Sequence, residues 1–249
     1  MEAETLAKIL EINRRFYAEH AGDFAATRRR IQPGVRRILS LLPPGGRWLD
    51  LGCGSGHLAL EWARAGRTGE YHGLDFSPGL LVEARAALAQ EPLPPGLKVD
   101  FTQVDLADPD WLRKAGLGGK FDGLLASAFL HHIPSTAPRL SLLRQARSLL
   151  PGGAWFALSV WQFQHSPRLL ARVQPWESVG VDPRYLDEGD TLLDWRQPQA
   201  AADAPGLRYV HLYSRCELAN LADQTGFSLL EEFESDGEGG RLGLYQIWR

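Results

Sequence analysis

A loop of alternating glycines directly follows an acidic residue, between an apolar stretch and a helix-like stretch. Residues 48–56 read Trp-Leu-Asp-Leu-Gly-Cys-Gly-Ser-Gly, and the first four predict a short buried strand. Glycines allow a tight turn and a close approach of the backbone to a ligand. The N–H groups that open the next helix, from His57, would face that ligand. The residues that this pattern assigns to a binding site are Asp50, Gly52, Cys53, Gly54 and Gly56.

The spacing of these glycines argues against one familiar ligand class. A dinucleotide-binding loop requires Gly-x-Gly-x-x-Gly. His57 stands where the third glycine of that pattern would be. A nicotinamide-dependent dehydrogenase is therefore disfavoured.

Acidic residues end the next two predicted strands. In an open parallel sheet, a ligand lies at the carboxyl ends of the strands. Asp75 could accept two hydrogen bonds from a ribose diol there, with Phe76 against an adenine ring. Asp105 could accept a hydrogen bond from the adenine amino group. The candidate set at the strand ends is Asp75, Phe76, Ser77, Asp105, Leu106 and Ser127.

Each acid also has a purely structural interpretation. Asp75 suits the cap of a helix that begins after Ser77 with a proline, and Asp105 suits a turn. Asp50 would either orient the glycine loop or contact the amino-acid end of a bound cofactor. Because the three acids recur at one end of successive strands, the binding role is favoured for the group.

Strand-like and helix-like segments alternate along the chain, which is typical of a parallel sheet covered on both faces. The predicted strands are 47–51, 71–75, 98–104, 121–126, 154–160, 228–234 and 242–248. The predicted helices are 4–19, 33–42, 57–65, 78–90, 135–149 and 215–225. This pattern predicts one α/β, Rossmann-like domain over residues 1–249, with a seven-stranded, mostly parallel sheet. The proline-rich segment 161–210 breaks the alternation, and we expect an irregular insertion that covers a binding site.

Composition narrows the classes of function. The 249 residues carry a net charge of −3, so no global field attracts nucleic acid. Two cysteines form neither a disulfide framework nor a metal-ligand pattern, so we expect no metal and a reducing, cytoplasmic location. No stretch is long and apolar enough for a membrane span. The basic patch of Arg28 to Arg30 with Arg36 and Arg37 is interpreted as a solvated helix flank rather than a phosphate contact.

The order of these motifs resembles that of the class I S-adenosylmethionine-dependent methyltransferases. The resembling features are the glycine loop after Asp50, the acids at 75 and 105, and a Leu-Pro-Gly-Gly turn at 150–153 before the fifth strand. The resemblance implies their fold and S-adenosylmethionine as cofactor, with Ser127 beside the sulfonium. Segment 16–28 is similar to their N-terminal helix, which assigns Tyr17 and Arg28 to the cofactor site. Tyr17 could equally pack an amphipathic helix.

Three segments resemble a narrower branch, the tRNA wobble-uridine carboxymethyl methyltransferases. They are the His-His pair within 129–136, the Leu-Ser-Val-Trp-Gln of 158–162, and the Arg-Tyr-Val-His-Leu-Tyr of 208–213 followed by Cys-Glu-Leu at 216–218. The sequence departs from that branch at Val210, where the family has tyrosine. Segment 235–242 also lacks the family's asparagine–tryptophan turn.

The residues near these segments suit an anionic methyl acceptor. A carboxylate is already ionised at pH 7, so it needs orientation rather than a general base. Arg208 could hold it in a bidentate manner, and His132, Tyr209 and His211 could each supply a single hydrogen bond. For an alcohol or amine, His132 or His211 would act as the base. Alternatively, His131 and His132 are one surface and one core histidine. Of Trp161, Trp176 and Trp195, we expect two to serve packing.

The sequence thus predicts a methyltransferase that acts on a carboxylate, such as the carboxymethyl group of a tRNA uridine. A small-molecule O- or N-methyltransferase is the alternative on the same fold. A non-catalytic, cofactor-binding partner of another methyltransferase is a third possibility, which the acceptor segment 208–213 disfavours. The expected partner is the methyl acceptor, with no membrane, and the oligomeric state stays open.

Overall fold

A central seven-stranded sheet and a smaller three-stranded sheet organise the computed structural model, which describes residues 1–26, 30–196 and 206–249. The strands are β1 (Arg47–Leu51), β2 (Gly69–Asp75), β3 (Leu97–Gln103), β4 (Gly123–Ser127), β5 (Trp155–Trp161), β6 (Val173–Gln174), β7 (Asp190–Trp195), β8 (Gly206–His211), β9 (Leu229–Ser235) and β10 (Gly243–Trp248). The helices are α1 (Ala3–Ala26), α2 (Pro33–Leu41), α3 (His57–Arg64), α4 (Pro78–Ala89), α5 (Trp111–Ala115), α6 (Thr136–Ser148), α7 (Pro167–Leu170) and α8 (Arg215–Gln224).

The large sheet has the strand order β3-β2-β1-β4-β5-β10-β9. Strands β1 to β5 pair in parallel, and β10 runs antiparallel to both of its neighbours. The predicted mostly parallel, seven-stranded α/β sheet is confirmed. Its parallel strands direct their carboxyl ends to one edge, and this edge positions the candidate site.

Alternation of side chains across the sheet creates two hydrophobic layers. Leu49 and Leu51 of β1 pack into one layer together with α6 and α8, whereas Trp48 packs into the other with α2, α3 and α4. Because both faces are covered, the strands are apolar on both sides. Ser77 caps α4, since its hydroxyl accepts from Leu80 N–H at 3.3 Å. Gly226 follows α8 with a φ of 77°, as is common for a glycine that ends a helix.

The segment after β5 is more regular than the sequence indicated. Within its described residues, β6, β7 and β8 form an antiparallel sheet, and Leu193 of β7 pairs with Arg208 of β8. The expectation of an irregular insertion was wrong because Pro175 and Pro183 lie outside the strands and do not interrupt them. Helix α1 is also longer than predicted, ending at Ala26. Among the helices that the structure describes, none is long and apolar enough to cross a membrane.

Candidate active site

A cavity of about 570 Å³ opens at the carboxyl ends of the parallel strands. It brings together most of the residues that the sequence assigned to a site. Those that line it are Tyr17, Asp50, Gly52, Cys53, Gly54, Asp75, Phe76, Asp105, Leu106, Ser127, His132 and Arg208. Arg28 lies outside the described residues. Gly56, Ser77, Tyr209 and His211 do not line the cavity.

The glycine loop forms one wall of the cavity. The N–H groups of Gly52 and Cys53 both donate to Leu74 O, at 2.8 and 2.9 Å, which ties the loop to β2. A side chain at Gly52 would collide with the Phe129 ring. At Gly54, by contrast, a Cβ would meet no atom within 4 Å. The backbone is therefore open to a ligand at Gly54.

A glycine is needed at position 56 for the packing of two helices, a role that the sequence interpretation missed. It precedes α3 with a φ of 73°, and an added Cβ would lie 2.8 Å from the Cβ of Ala84 on α4. Its placement in the cofactor-binding set is corrected, because this glycine allows α3 and α4 to approach each other rather than lining the cavity.

Asp75 is a buried carboxylate held by two backbone groups. Its Oδ1 accepts from Ser77 N–H and its Oδ2 from Gly54 N–H, both at 2.9 Å. Burial raises the pKa of Asp75 to about 6, although these hydrogen bonds oppose the shift. Each oxygen keeps a further lone pair for a ligand hydroxyl. Ser77, which was assigned to the cofactor site, instead orients Asp75 from outside the cavity.

Asp50 lies deeper, at the base of the glycine loop. One of its oxygens accepts a hydrogen bond from the Tyr71 hydroxyl. Its Oδ1 is buried and has no hydrogen-bond partner among the residues that the structure describes. Burial raises the pKa of Asp50 to about 7. A buried acceptor without a donor, on a cavity wall, fits a ligand that carries a cationic or N–H group.

This burial makes Asp50 a source of instability in the ligand-free protein. Its carboxyl ionises near pH 4 in the unfolded chain but near pH 7 in the folded one. The contribution of Asp50 to folding stability therefore falls as the pH rises from about 4 to 7 and is constant above that range. We expect Asp50→Asn to raise the free energy of unfolding by up to about 4 kcal/mol at pH 8 and by much less at pH 5. Urea denaturation at both pH values measures this difference.

The matched control for this prediction is Asp100→Asn, at an exposed aspartate of β3. That variant should track the wild-type protein at both pH values. If Asp50→Asn shows the same pH dependence of stability as the wild-type protein, ionisation of Asp50 does not destabilise the folded protein.

Asp105 faces the cavity together with an arginine that sequence reasoning did not identify. Asp105 Oδ2 accepts from Arg14 Nη2 at 2.7 Å, and Oδ1 accepts from Ala107 N–H at 2.9 Å. The signal that could have identified Arg14 is helical spacing. Leu10, Asn13, Arg14 and Tyr17 recur at intervals of three and four residues, and all of them line the cavity.

His132 is held in a defined orientation beside Tyr17. Its Nδ1 lies 3.1 Å from the carbonyl oxygen of Tyr209, and its Nε2 lies 3.2 Å from the Tyr17 hydroxyl. Because a carbonyl oxygen can only accept, Nδ1 carries a proton. In the neutral ring, Nε2 is then the basic nitrogen, and it lies on the cavity side with Tyr17.

Arg208 and its neighbours on β8 separate onto two faces. Arg208 lines the cavity at 3% exposure, with its guanidinium carbon 4.5 Å from the centre of the Trp161 ring. Tyr209 and His211 instead join a buried polar cluster with Arg139. The assignment of these two residues to the acceptor site is corrected, because neighbouring residues of a strand point to opposite faces.

Charged side chains of both signs line the cavity. Three acids lie at the ends of β1, β2 and β3, and four arginines come from the segment after β5. The acids at the strand ends are Asp50, Asp75 and Asp105, with Asp236 after β9, and the later arginines are Arg168, Arg172, Arg196 and Arg208, besides Arg14 of α1 and Arg30. Trp161 and Trp195 line the cavity, and Trp176 packs against Ile9 instead. Trp195 also packs in a hydrophobic cluster with Phe16, so two of the three tryptophans, Trp176 and Trp195, serve packing, as expected.

A further part of the lining escaped the sequence interpretation because it comes from distant strands. Asp236 follows β9 with a φ of 71° and accepts from Gly34 N–H at 2.9 Å and from the Tyr245 hydroxyl. Ser159 of β5 accepts from Ala128 N–H at 2.9 Å. These residues join α2, β5, β9 and β10 at the cavity wall.

Comparisons with known proteins agree with this geometry. The methyltransferase-domain family matches residues 24–232. A putative methyltransferase of Encephalitozoon cuniculi is 29% identical over 219 residues, which cover 87% of each chain. A ubiquinone biosynthesis O-methyltransferase of Xanthomonas axonopodis pv. citri is 32% identical over 53% of this chain. The match spans 55% of that relative's length.

Solved structures show the same fold. A SAM-dependent methyltransferase of Methanosarcina mazei has a TM-score of 0.61 at 22% identity, covering 88% of this chain and 97% of that one. The complex of DhpI with SAM has a TM-score of 0.66 at 20% identity, covering 97% of each chain.

The chain therefore belongs to the methyltransferase-domain family. It is an S-adenosylmethionine-dependent methyltransferase with a Rossmann-like fold.

Proposed function

We propose that this enzyme transfers a methyl group from S-adenosylmethionine to an anionic oxygen, that of a carboxylate. The observation that carries the proposal is the charge of the cavity lining, which has acids at the ends of β1, β2 and β3 and four arginines, among them the buried Arg208, from the segment after β5. A ligand with hydroxyl and amino groups suits the acidic part, and an anion suits the basic part. The resemblance of segments 129–136 and 208–213 favours the carboxymethyl group of a tRNA uridine among such anions.

The acidic part of the cavity fits the cofactor. Asp75 would accept from the ribose hydroxyls, Asp105 from the adenine amino group, and Phe76 would lie against the adenine ring. Asp50, whose Oδ1 is buried without a donor, would accept from the amino-acid end. When bound, the cofactor supplies a methyl group on a positively charged sulfur. The open space beside the Gly54 backbone leaves room for the cofactor to approach the glycine loop closely.

The basic part would orient the acceptor. Arg208 is buried and presents a planar pair of donors that matches a carboxylate. A carboxylate is a competent nucleophile at pH 7 without loss of a proton. The chain then contributes orientation and exclusion of water rather than acid–base catalysis. The segment 161–210 would act as the cap of this site, because Trp161, Arg172 and Trp195 line the cavity from it.

Label transfer tests the acceptor directly. We expect labelled methyl groups from S-adenosylmethionine to enter the tRNA-sized RNA of a cell extract, rather than its protein or its small molecules. Asp75→Asn, purified identically, serves as the control against a contaminating methyltransferase. Label that enters only the small-molecule fraction would reject tRNA as the acceptor.

A second candidate is methylation of a neutral hydroxyl group. Its specific support is His132, whose Nδ1–H donates to the Tyr209 carbonyl, so that Nε2, beside the Tyr17 hydroxyl, is the nitrogen that would take a proton. An O-methyltransferase among the relatives agrees with it. In that case His132→Gln would abolish transfer, whereas with a carboxylate acceptor His132→Gln should retain a measurable rate.

A further inference from the structure

A buried cluster of polar side chains lies on the face of β8 opposite Arg208. It joins four elements of the fold, and four of its five side chains are at most 1% exposed. Its members are Arg139 of α6, Asp190 of β7, Tyr209 and His211 of β8, and Glu217 of α8. None of these residues lines the cavity, so the cluster lies outside the cavity wall.

His211 lies between two carboxylates. Its Nδ1 is 2.7 Å from Asp190 Oδ1, and its Nε2 is 2.9 Å from Glu217 Oε1. Ionised carboxylates only accept hydrogen bonds, so both ring nitrogens must carry protons for both bonds to form. Burial opposes the charge, but the hydrogen bonds to Asp190 and Glu217 outweigh it and raise the pKa of His211 above its usual value.

Arg139 completes a balanced set of charges around this ring. Its Nη2 donates to the Tyr209 hydroxyl at 2.9 Å, and its Nη1 donates to Glu217 Oε1 at 3.2 Å. The Tyr209 hydroxyl in turn donates to Asp190 Oδ1 at 2.7 Å. With His211 charged, two cations face two anions. The Tyr213 ring, 4.6 Å from the His211 ring, closes the remaining side.

The cluster is connected to the site through Tyr209. The side chain of Tyr209 belongs to the cluster, while its carbonyl oxygen accepts from His132 Nδ1 at 3.1 Å. Asn13 of α1 accepts from Tyr209 N–H at 2.8 Å. A shift of Tyr209 would therefore move both His132 and the adjacent Arg208.

We propose that His211, as an imidazolium, and Arg139 are positioning residues that hold β8 so that His132 and Arg208 face the methyl acceptor. This inference rests on the proposed methyl transfer for its effect on rate. Loss of the Nε2 proton would break the bond to Glu217, and the bare nitrogen would then accept from Arg139 Nη1, which lies 3.3 Å away. Arg139 also donates to the Tyr209 hydroxyl, so this change would act on Tyr209. Transfer should therefore slow as the pH rises through the deprotonation of His211, which is opposite to the effect of a general base.

The groups that face His211 set the pH of this transition. They are Arg139 of α6, Asp190 of β7, Tyr209 of β8, Tyr213 before α8, and Glu217 of α8. Glu217 is the most exposed carboxylate among them, with about a third of its side chain accessible. Glu217→Gln removes one anion and keeps the size of the side chain. It should lower the pH of the transition by about one unit.

The test combines nitrogen NMR of histidine-labelled protein with rates between pH 6.5 and 9.5. His211→Asn assigns the resonance, and His165→Asn, at an exposed histidine outside the cavity, is the control. We expect both nitrogens of His211 to be protonated at pH 7. When His211 loses a proton, the nitrogen signals of His132 should no longer be those of a ring that carries its proton on Nδ1. In the same pH range, kcat should fall at least fivefold. The affinity for S-adenosylhomocysteine should change less than twofold.

Glu217→Gln should shift the His211 titration and the fall in kcat together, which a merely structural role would not do. A neutral His211 at pH 7 would overturn the proposal. So would a deprotonation that leaves both the His132 signal and kcat unchanged. If no acceptor is methylated, the proposed function fails. The nitrogen signals of His211 and His132 still decide whether deprotonation of His211 changes the protonation of His132.

Discussion

Arg208→Lys is expected to lower kcat/KM for the methyl acceptor about 10- to 100-fold. Lysine keeps the positive charge but loses the planar pair of donors that fits a carboxylate. One charge-assisted hydrogen bond contributes roughly 1.5–3 kcal/mol, which corresponds to this range. Because Arg208 is 3% exposed, water cannot replace the missing donor easily. Steady-state rates with the acceptor varied measure the effect.

The control for Arg208 is another arginine of the same cavity. Arg168 is exposed and also lines the cavity, so Arg168→Lys should change kcat/KM less than threefold. Calorimetry with S-adenosylhomocysteine should give equal affinities for both variants and the wild-type enzyme. An Arg208→Lys enzyme with full activity on its acceptor would exclude an arginine clamp.

Asp75→Asn is expected to weaken S-adenosylhomocysteine binding by about 2–4 kcal/mol, or roughly 30- to 1000-fold. The variant replaces a charged acceptor of two ribose hydrogen bonds by a neutral amide. It also places an N–H group near the N–H groups of Gly54 and Ser77, which donate to the Asp75 carboxylate in the wild-type protein. Isothermal titration calorimetry at pH 7.5 measures the loss.

The same carboxyl predicts a pH dependence of binding. The pKa of Asp75 is raised to about 6 by burial, so the charge needed for ribose binding is lost as the pH falls through about 6. Wild-type affinity should decrease below that pH, and Asp75→Asn should be weak and nearly independent of pH. Wild-type affinity that stays constant from pH 5 to 8 would remove Asp75 from the ribose site.

The acidic part of the cavity was predictable because its signals are local in sequence. A parallel strand, a turn and an acid at the strand end are neighbouring residues, and the parallel sheet brings such ends together. Asp50, Asp75 and Asp105 therefore reached one cavity as expected. Structural roles within these motifs were harder to distinguish from binding roles. Ser77 and Gly56 belong to the same motifs, but Ser77 caps a helix and Gly56 allows two helices to pack closely.

The acceptor side was less predictable because it depends on strand pairing between distant residues. The motif 208–211 was treated as one site, but a strand sends Arg208 to the cavity and Tyr209 and His211 to the opposite face. Recognition of β8 required its pairing with β7, the preceding strand, which the sequence did not predict. Likewise, Arg139 and Glu217 meet His211 only after α6 and α8 have packed.

The chemical stability of the methylated product tests the central proposal most directly. A carboxylate acceptor yields a methyl ester, which mild alkali cleaves with release of methanol, whereas a methylated hydroxyl or amine is stable under the same conditions. We expect the label transferred by the wild-type enzyme to become volatile after brief treatment with alkali. A product that keeps its label after that treatment would contradict a carboxylate acceptor and would favour methylation of a hydroxyl or amine.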